Sequence, residues 1–269
     1  MDEKRPQSGP GPLPSTVARA LAAWRARMPS FRFWRRRVAR QSGGPPVVLI
    51  HGLAMPRACM AVLAWRLRRR SRRETILFPY SSWSLDIPAA ALQLAEFLRA
   101  RQLTEVDVVA HSMGGVILRW AMNHCDMPRL RRAVLIASPG DGAWLSGELH
   151  RRTGPLYPLT FGRAGLQLRR GDHGLCGLAG DLAMAEMGVI AGGDGTPRGL
   201  PRFLRLPGDN DGTVMVDETI SPGMRDFVLV PHRHTELLLV RPVAHLVETF
   251  LEHGVFRPQK RARQLQRDH

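Results

Sequence analysis

Between Pro46 and Gly254, short apolar runs alternate with stretches of helical periodicity. The runs VVLI (47–50), TILF (75–78), VDVVA (106–110), AVLIA (133–137), FLRL (203–206) and FVLV (227–230) are rich in Val, Ile, Leu or Phe. Runs of that length suit strands buried on both faces of a parallel sheet, where no polar face interrupts the apolar pattern. Between them, Met60, Leu63, Ala64 and Leu67 recur at helical spacing, as do Ala91, Leu94, Ala95 and Leu98. Val243, Leu246, Val247, Phe250 and Leu251 repeat the pattern, with Pro242 at the helix start and Gly254 after its end. Strand and helix in alternation predict an α/β architecture of three layers: a mostly parallel sheet with helices on both faces.

Three segments depart from this rhythm. Residues 138–200 are dense in Gly and Pro and show no long periodic segment. They read as a cap-like insertion within a domain spanning 46–256. Residues 1–45 form an N-terminal arm, in which PQSGPGPLPS is expected to be disordered. In the same arm, VARALAAWRARMPSFRFWRRRVAR interleaves Arg with Trp, Phe and Leu. Such a segment suits an anionic membrane surface, although a solvated helix or packed arm is the commoner origin of the pattern. Residues 257–269 form a basic C-terminal tail.

The net charge of +16 invites a nucleic-acid reading until it is mapped along the chain. The arm holds +8 and the tail +4, so the 46–256 body carries +4. The dense run RLRRRSRR (66–73) ends a helix without base-stacking aromatics and reads as a solvated face. Nucleic acid is therefore not the expected partner. Cys59, Cys125 and Cys176 are far apart, odd in number and match no zinc spacing, which points away from a disulfide framework and towards a reducing compartment. No apolar stretch approaches the roughly 20 residues that span a bilayer, and the N-terminus lacks a secretory apolar core. The expectation is a cytoplasmic protein, with peripheral membrane contact through the arm as an option.

The chemistry centres on Ala110-His111-Ser112-Met113-Gly114, between an apolar run and the helical GVILRWAM. Small residues flank a serine in this way where a sharp strand-to-helix turn exposes a nucleophile. Upstream, VVLIHGL (47–53) is a buried strand ending in His-Gly. The backbone N–H of Leu53, with that of Met113, supplies two donors for a tetrahedral oxyanion. His51 is expected to orient this loop by hydrogen bonding. Downstream, PGDNDGTVMVDET offers Asp209, Asp211, Asp217 and Glu218, and PHRHTELLL offers His232 and His234. Serine, carboxylate and histidine follow in the order required of a nucleophile, its orienting acid and its base. His245 and His253 fall within or beside the last helix and are less well placed.

On VVLIHGL, AHSMGG, NDGTV and PHRHTELLL followed by FLEHGVF, the chain resembles the α/β-hydrolase superfamily, specifically bacterial lipase-like esterases, over roughly 46–256. The resemblance implies an α/β-hydrolase fold, with Asp211 as the acid and His234 as the base. SPGDGAW and GPLYPLTFGRAGLQL look like the cap region of a subgroup of these enzymes. LAMP after His51-Gly52, and Asp141 in the cap, depart from the family's usual small residues and glycine-serine turn. The expected activity is cleavage of carboxylic esters, lipid esters included, through an acyl-enzyme on Ser112, with no cofactor or metal. An acyltransferase on the same triad, or a silent scaffold that binds membranes, are the alternatives. Asp209 and Asp217 stand as alternatives to Asp211, and His232 to His234.

Overall fold

The computed structural model describes residues 44–171, 175, 185–193 and 206–257. Among these residues six strands form one sheet: β1 (Val47–Ile50), β2 (Thr75–Leu77), β3 (Glu105–His111), β4 (Arg129–Ile136), β5 (Glu186–Gly192) and β6 (Met224–Val230). Their spatial order is β2-β1-β3-β4-β5-β6, and every pairing is parallel. The helices are α1 (Ala61–Ser71), α2 (Ile87–Ala100), α3 (Met113–His124), α4 (Trp144–Thr153), α5 (Leu156–Gln167) and α6 (Arg241–His253).

Alternate residues of each central strand feed two separate cores. Val48 and Ile50 of β1, Val108 and Ala110 of β3, and Leu135 of β4 pack with α2 and α3. Val47, Leu49, Val109, Val134 and Ile136 pack on the other face with α1 and α6. Both side-chain directions being dry is why these strands appear in the sequence as unbroken apolar runs. The helix ends follow local chemistry. Asp86 caps α2 by accepting from Ala89 N–H at 3.0 Å, and α6 carries Pro242 in its first turn and is followed by left-handed Gly254. Near the N-terminal end of β3, the fully buried Asp107 accepts from Arg73 and from Arg131 Nε (2.9 Å), so its charge is matched inside the fold.

One strand differs from expectation. Residues 203–205 of the FLRL run lie outside the described residues, and Leu206 is a buried loop residue. The strand beside β4 is instead EMGVIAG, within the 138–200 range expected to be an insertion. Its small residues conceal it in the sequence, yet packing demands them. A Cβ on Gly188 would lie 2.6 Å from ring carbons of Phe250, and one on Gly192 would lie 2.5 Å from the His232 carbonyl oxygen. The same range also supplies α4 and α5, the latter interrupted at Gly162 (φ 67°), where a Cβ would meet the Trp83 carbonyl oxygen at 2.6 Å. Most of the N-terminal arm (1–43) and of the basic tail (258–269) lies outside the described residues.

The chain leaves β1 for β2 on one side and returns to β3 on the other. Such a reversal opens a crevice at the C-terminal ends of the two neighbouring strands, the usual place for a site in a parallel sheet. β1 ends there in His51-Gly52 and β3 in His111-Ser112.

Candidate active site

Ser112 joins β3 to α3 with φ 53° and ψ −126°, a backbone state that costs a non-glycine residue about 1–3 kcal/mol. Surrounding structure over-determines it. Ser112 N–H donates to the Ile136 carbonyl (2.9 Å), and Gly115 N–H donates to the Ser112 carbonyl (3.0 Å). The two glycines after the serine answer to close packing. A Cβ on Gly114 would stand 2.6 Å from Ile50 O, and one on Gly115 would stand 2.2 Å from Ser138 Oγ. Ala110, where glycine is usual in this motif, is paired with Ile50 and Leu135 and buries its methyl in the core. That methyl is packing material, not an obstruction.

The loop leaving β1 lies against this turn. A Cβ on Gly52 would sit 2.9 Å from Ser112 Cβ and 3.3 Å from its Oγ, so only glycine passes there. Leu53 follows Gly52 and packs partly buried on the core, and Ala54 N–H donates to Ser82 Oγ at 3.0 Å. Met113 is the first residue of α3, where backbone N–H groups have no intrahelical acceptor. His51 sets its ring nitrogens against the carbonyl oxygens of Gly52 (2.9 Å) and Tyr80 (3.3 Å) and stacks on Tyr80, whose hydroxyl donates to His51 O at 2.7 Å. His51 is thus built into the loop's scaffolding.

Asp211 and His234 meet on the loops that follow β5 and β6. His234 Nδ1–H donates to Asp211 Oδ2 at 2.6 Å, with the two residues 8% and 2% exposed. Asp211 Oδ1 accepts from the N–H groups of Thr213 (2.9 Å) and Val214 (2.7 Å), and His234 N–H donates to the Asp211 carbonyl at 3.0 Å. With Nδ1 committed to the carboxylate, neutral His234 presents Nε2 as a free base. Gly192 admits this arrangement, since a Cβ there would stand 2.7 Å from Asp211 Cβ. The other candidates are placed elsewhere. Asp209 and Asp217 are exposed, His232 faces Glu236 at 4.0 Å, and His245 and His253 are exposed on α6.

Nothing in the sequence pattern singles out His111. It is fully buried, its Nε2 lies 3.1 Å from the His234 carbonyl oxygen, and the two imidazole rings are 4.5 Å apart. A carbonyl only accepts, so Nε2 carries the proton; Nδ1 has no partner among the described residues. The residue before the serine therefore touches the residue that pairs with Asp211, which sets the histidine loop beside the serine turn. Glu218 was also missed as a structural tie. It accepts from Met215 N–H (2.9 Å) and Trp144 N–H (2.6 Å), joining the acidic loop to the start of α4, and burial raises its carboxyl pKa.

Burial pushes His111 well below its ordinary 6.5, with the neighbouring His234 adding to the effect, and burial lowers His51 as well. Unfolded, both rings protonate near 6.5; folded, they stay neutral to lower pH. The unfolded chain thus binds more protons in acid, so stability is complete above pH 6.5 and falls as pH drops below it. For His111 alone the loss at one unit below that value is about 1.4 kcal/mol. Melting temperature measured by circular dichroism at pH 7.5 and pH 5.5 tests this. The slope should be shallower in His111→Phe, and an unchanged slope would count against it.

The model of the alpha/beta hydrolase family matches residues 47–260, and the chain belongs to that family. Similar solved structures include the mature lipase BlEst2 of Bacillus licheniformis, at 17% identity and a TM-score of 0.56, covering 78% of this chain and 91% of that one. The phospholipase PlaB of Legionella pneumophila is similar at 15% identity and a TM-score of 0.63, covering 79% of this chain and 59% of that one. The lin2722 product of Listeria innocua is similar at 16% identity and a TM-score of 0.53, covering 78% of this chain and 97% of that one. No curated protein matches the sequence. No helix among the described residues is long and apolar enough to cross a membrane.

Proposed function

We propose that the protein is a serine hydrolase of carboxylic esters, lipid esters included. The observation that carries this reading is the buried Asp211–His234 hydrogen bond, held by His111 beside a serine in a strained strand-to-helix turn. In this reading Ser112 Oγ attacks the acyl carbon as His234 Nε2 takes its proton. Asp211 holds the imidazole in the reactive tautomer and stabilises the imidazolium. The N–H groups of Leu53 and Met113 receive the oxyanion, worth a few kcal/mol in comparable sites. Collapse of the intermediate expels the alcohol, which takes its proton from His234 and leaves an acyl-Ser112. Water, deprotonated by His234, then releases the carboxylic acid. The α4–α5 pair serves as the cap that shapes the acyl site. Trp83, on the loop after β2, donates from its indole to Thr160 O of α5 at 2.7 Å and links this pair to the sheet. Similarity to a lipase and to a phospholipase favours ester substrates.

Turnover of chromogenic esters of graded acyl length, by the wild type and Ser112→Ala, tests the proposal; equal turnover by both proteins refutes it. The same assay reads the role of His111. His111→Gln keeps an N–H where Nε2 stands and is expected to stay within about tenfold of wild type. His111→Phe strands the His234 carbonyl and should lower kcat about 10- to 100-fold with little change in KM, matching the 1–3 kcal/mol of an unpaired buried acceptor. Equal kcat in the two variants would separate the base from His111.

A further inference from the structure

The outward face of α1 has no part in the site, yet its composition is unusual. Ala61, Val62, Trp65, Arg68 and Arg69, with Arg72 just past the helix end, recur at three- and four-residue spacing and are all exposed. The first three are apolar and the last three cationic, so the face changes character along the helix axis. Trp65 is 48% and Val62 37% exposed, and Leu239, whose carbonyl accepts from Arg66, adds an apolar side chain 50% exposed. No Asp or Glu occurs from Pro56 to Arg73. Arg70 is paired with Glu248 of α6 and Arg73 with buried Asp107. Arg68, Arg69 and Arg72 have no carboxylate partner among the described residues, and Arg69 lies over the Trp65 ring at 5.0 Å.

We propose that this face docks the protein on an anionic phospholipid bilayer. An indole and aliphatic groups at one end suit the boundary between headgroups and acyl chains, while the guanidinium groups at the other, without a carboxylate partner among the described residues, reach lipid phosphates. A nucleic acid is a poorer fit. A single indole gives no succession of stacking platforms for bases, and the aliphatic residues supply nothing to a groove. α1 starts at the end of the sheet where β1 delivers Gly52 and finishes beside Arg73, which meets Asp107 near the start of β3. Seating the apolar end in the boundary therefore tips the Ser112 end of the sheet towards the lipid; only the use of that tilt rests on the ester-hydrolase reading.

The test is co-sedimentation of the full chain with vesicles of phosphatidylcholine alone and of phosphatidylcholine with phosphatidylserine. Binding is expected with phosphatidylserine only, and should fall with added salt. At about fivefold per arginine, Arg68→Gln, Arg69→Gln and Arg72→Gln together should weaken it roughly 100-fold. Trp65→Ser should weaken it roughly tenfold, and it decides alone if the triple variant fails to fold. Both variants should turn over a short-chain soluble ester as the wild type does. Undiminished vesicle binding by the variants overturns the proposal, as does binding to an oligonucleotide but not to vesicles. Absence of ester turnover in every protein, with vesicle binding lost as expected, would instead refute the hydrolase reading and leave the docking face standing.

Discussion

Ser112→Ala is expected to lower kcat for ester turnover by about 10⁴- to 10⁶-fold, the loss seen when a triad nucleophile is removed. The magnitude follows from the absence of a substitute among the described residues. Cys59 and Cys125 have thiols pushed up to about 11 by burial, so they stay protonated and unreactive near neutral pH. Ser138 lies against Gly115 within the fold and is 1% exposed. The residual rate should be that of oxyanion binding and positioning alone. A fluorophosphonate probe supplies an independent reading, because it reports the activated hydroxyl without requiring the natural substrate. It should label wild type at one site per chain and leave Ser112→Ala unlabelled. Labelling of the variant would place the nucleophile elsewhere. The fold should survive, since Ala110 and the two glycines of the turn are untouched, and the melting temperature should stay near wild type.

Asp211→Asn should reduce kcat by about 10⁴-fold with little effect on KM. Asparagine can still accept the Thr213 and Val214 N–H groups through its amide oxygen. Its amide nitrogen would then face His234 Nδ1 as a donor. The imidazole responds by placing its proton on Nε2, the atom that must accept from Ser112. The base is thereby disabled while its position is kept, and this separates the effect from misfolding. Asp209→Asn and Asp217→Asn change exposed side chains and should stay within a few-fold of wild type. A large loss in either, with Asp211→Asn active, would reassign the acid.

Much of this fold is written in local pattern. VVLI, VDVVA and all of AVLIA but its last residue fall within strands because their side chains are buried on both faces, and that burial leaves a largely apolar run. EMGVIAG escaped because its glycines weaken the strand signal. What requires them is Phe250, from the last helix, and the loop carrying Asp211. The turn around Ser112 is also legible, because a tight backbone approach leaves small residues in fixed places. The choice among Asp209, Asp211 and Asp217 is not. All three share one turn-rich stretch, Asp209 and Asp211 with the same Gly and Asn neighbours, and only its folding buries Asp211 against His234.

The sequence by itself determined the alternation of strands and helices, the serine turn, and the order of candidate acid and base. Each of these depends on neighbours a few positions apart, or on order alone. The tertiary structure decided which carboxylate meets which histidine and gave His111 its contact with His234, 123 positions away. It also turned an arginine run into one face of α1 with an indole at its edge. Those outcomes depend on distances between loops that chain order leaves open, and packing of the sheet ends brings them together.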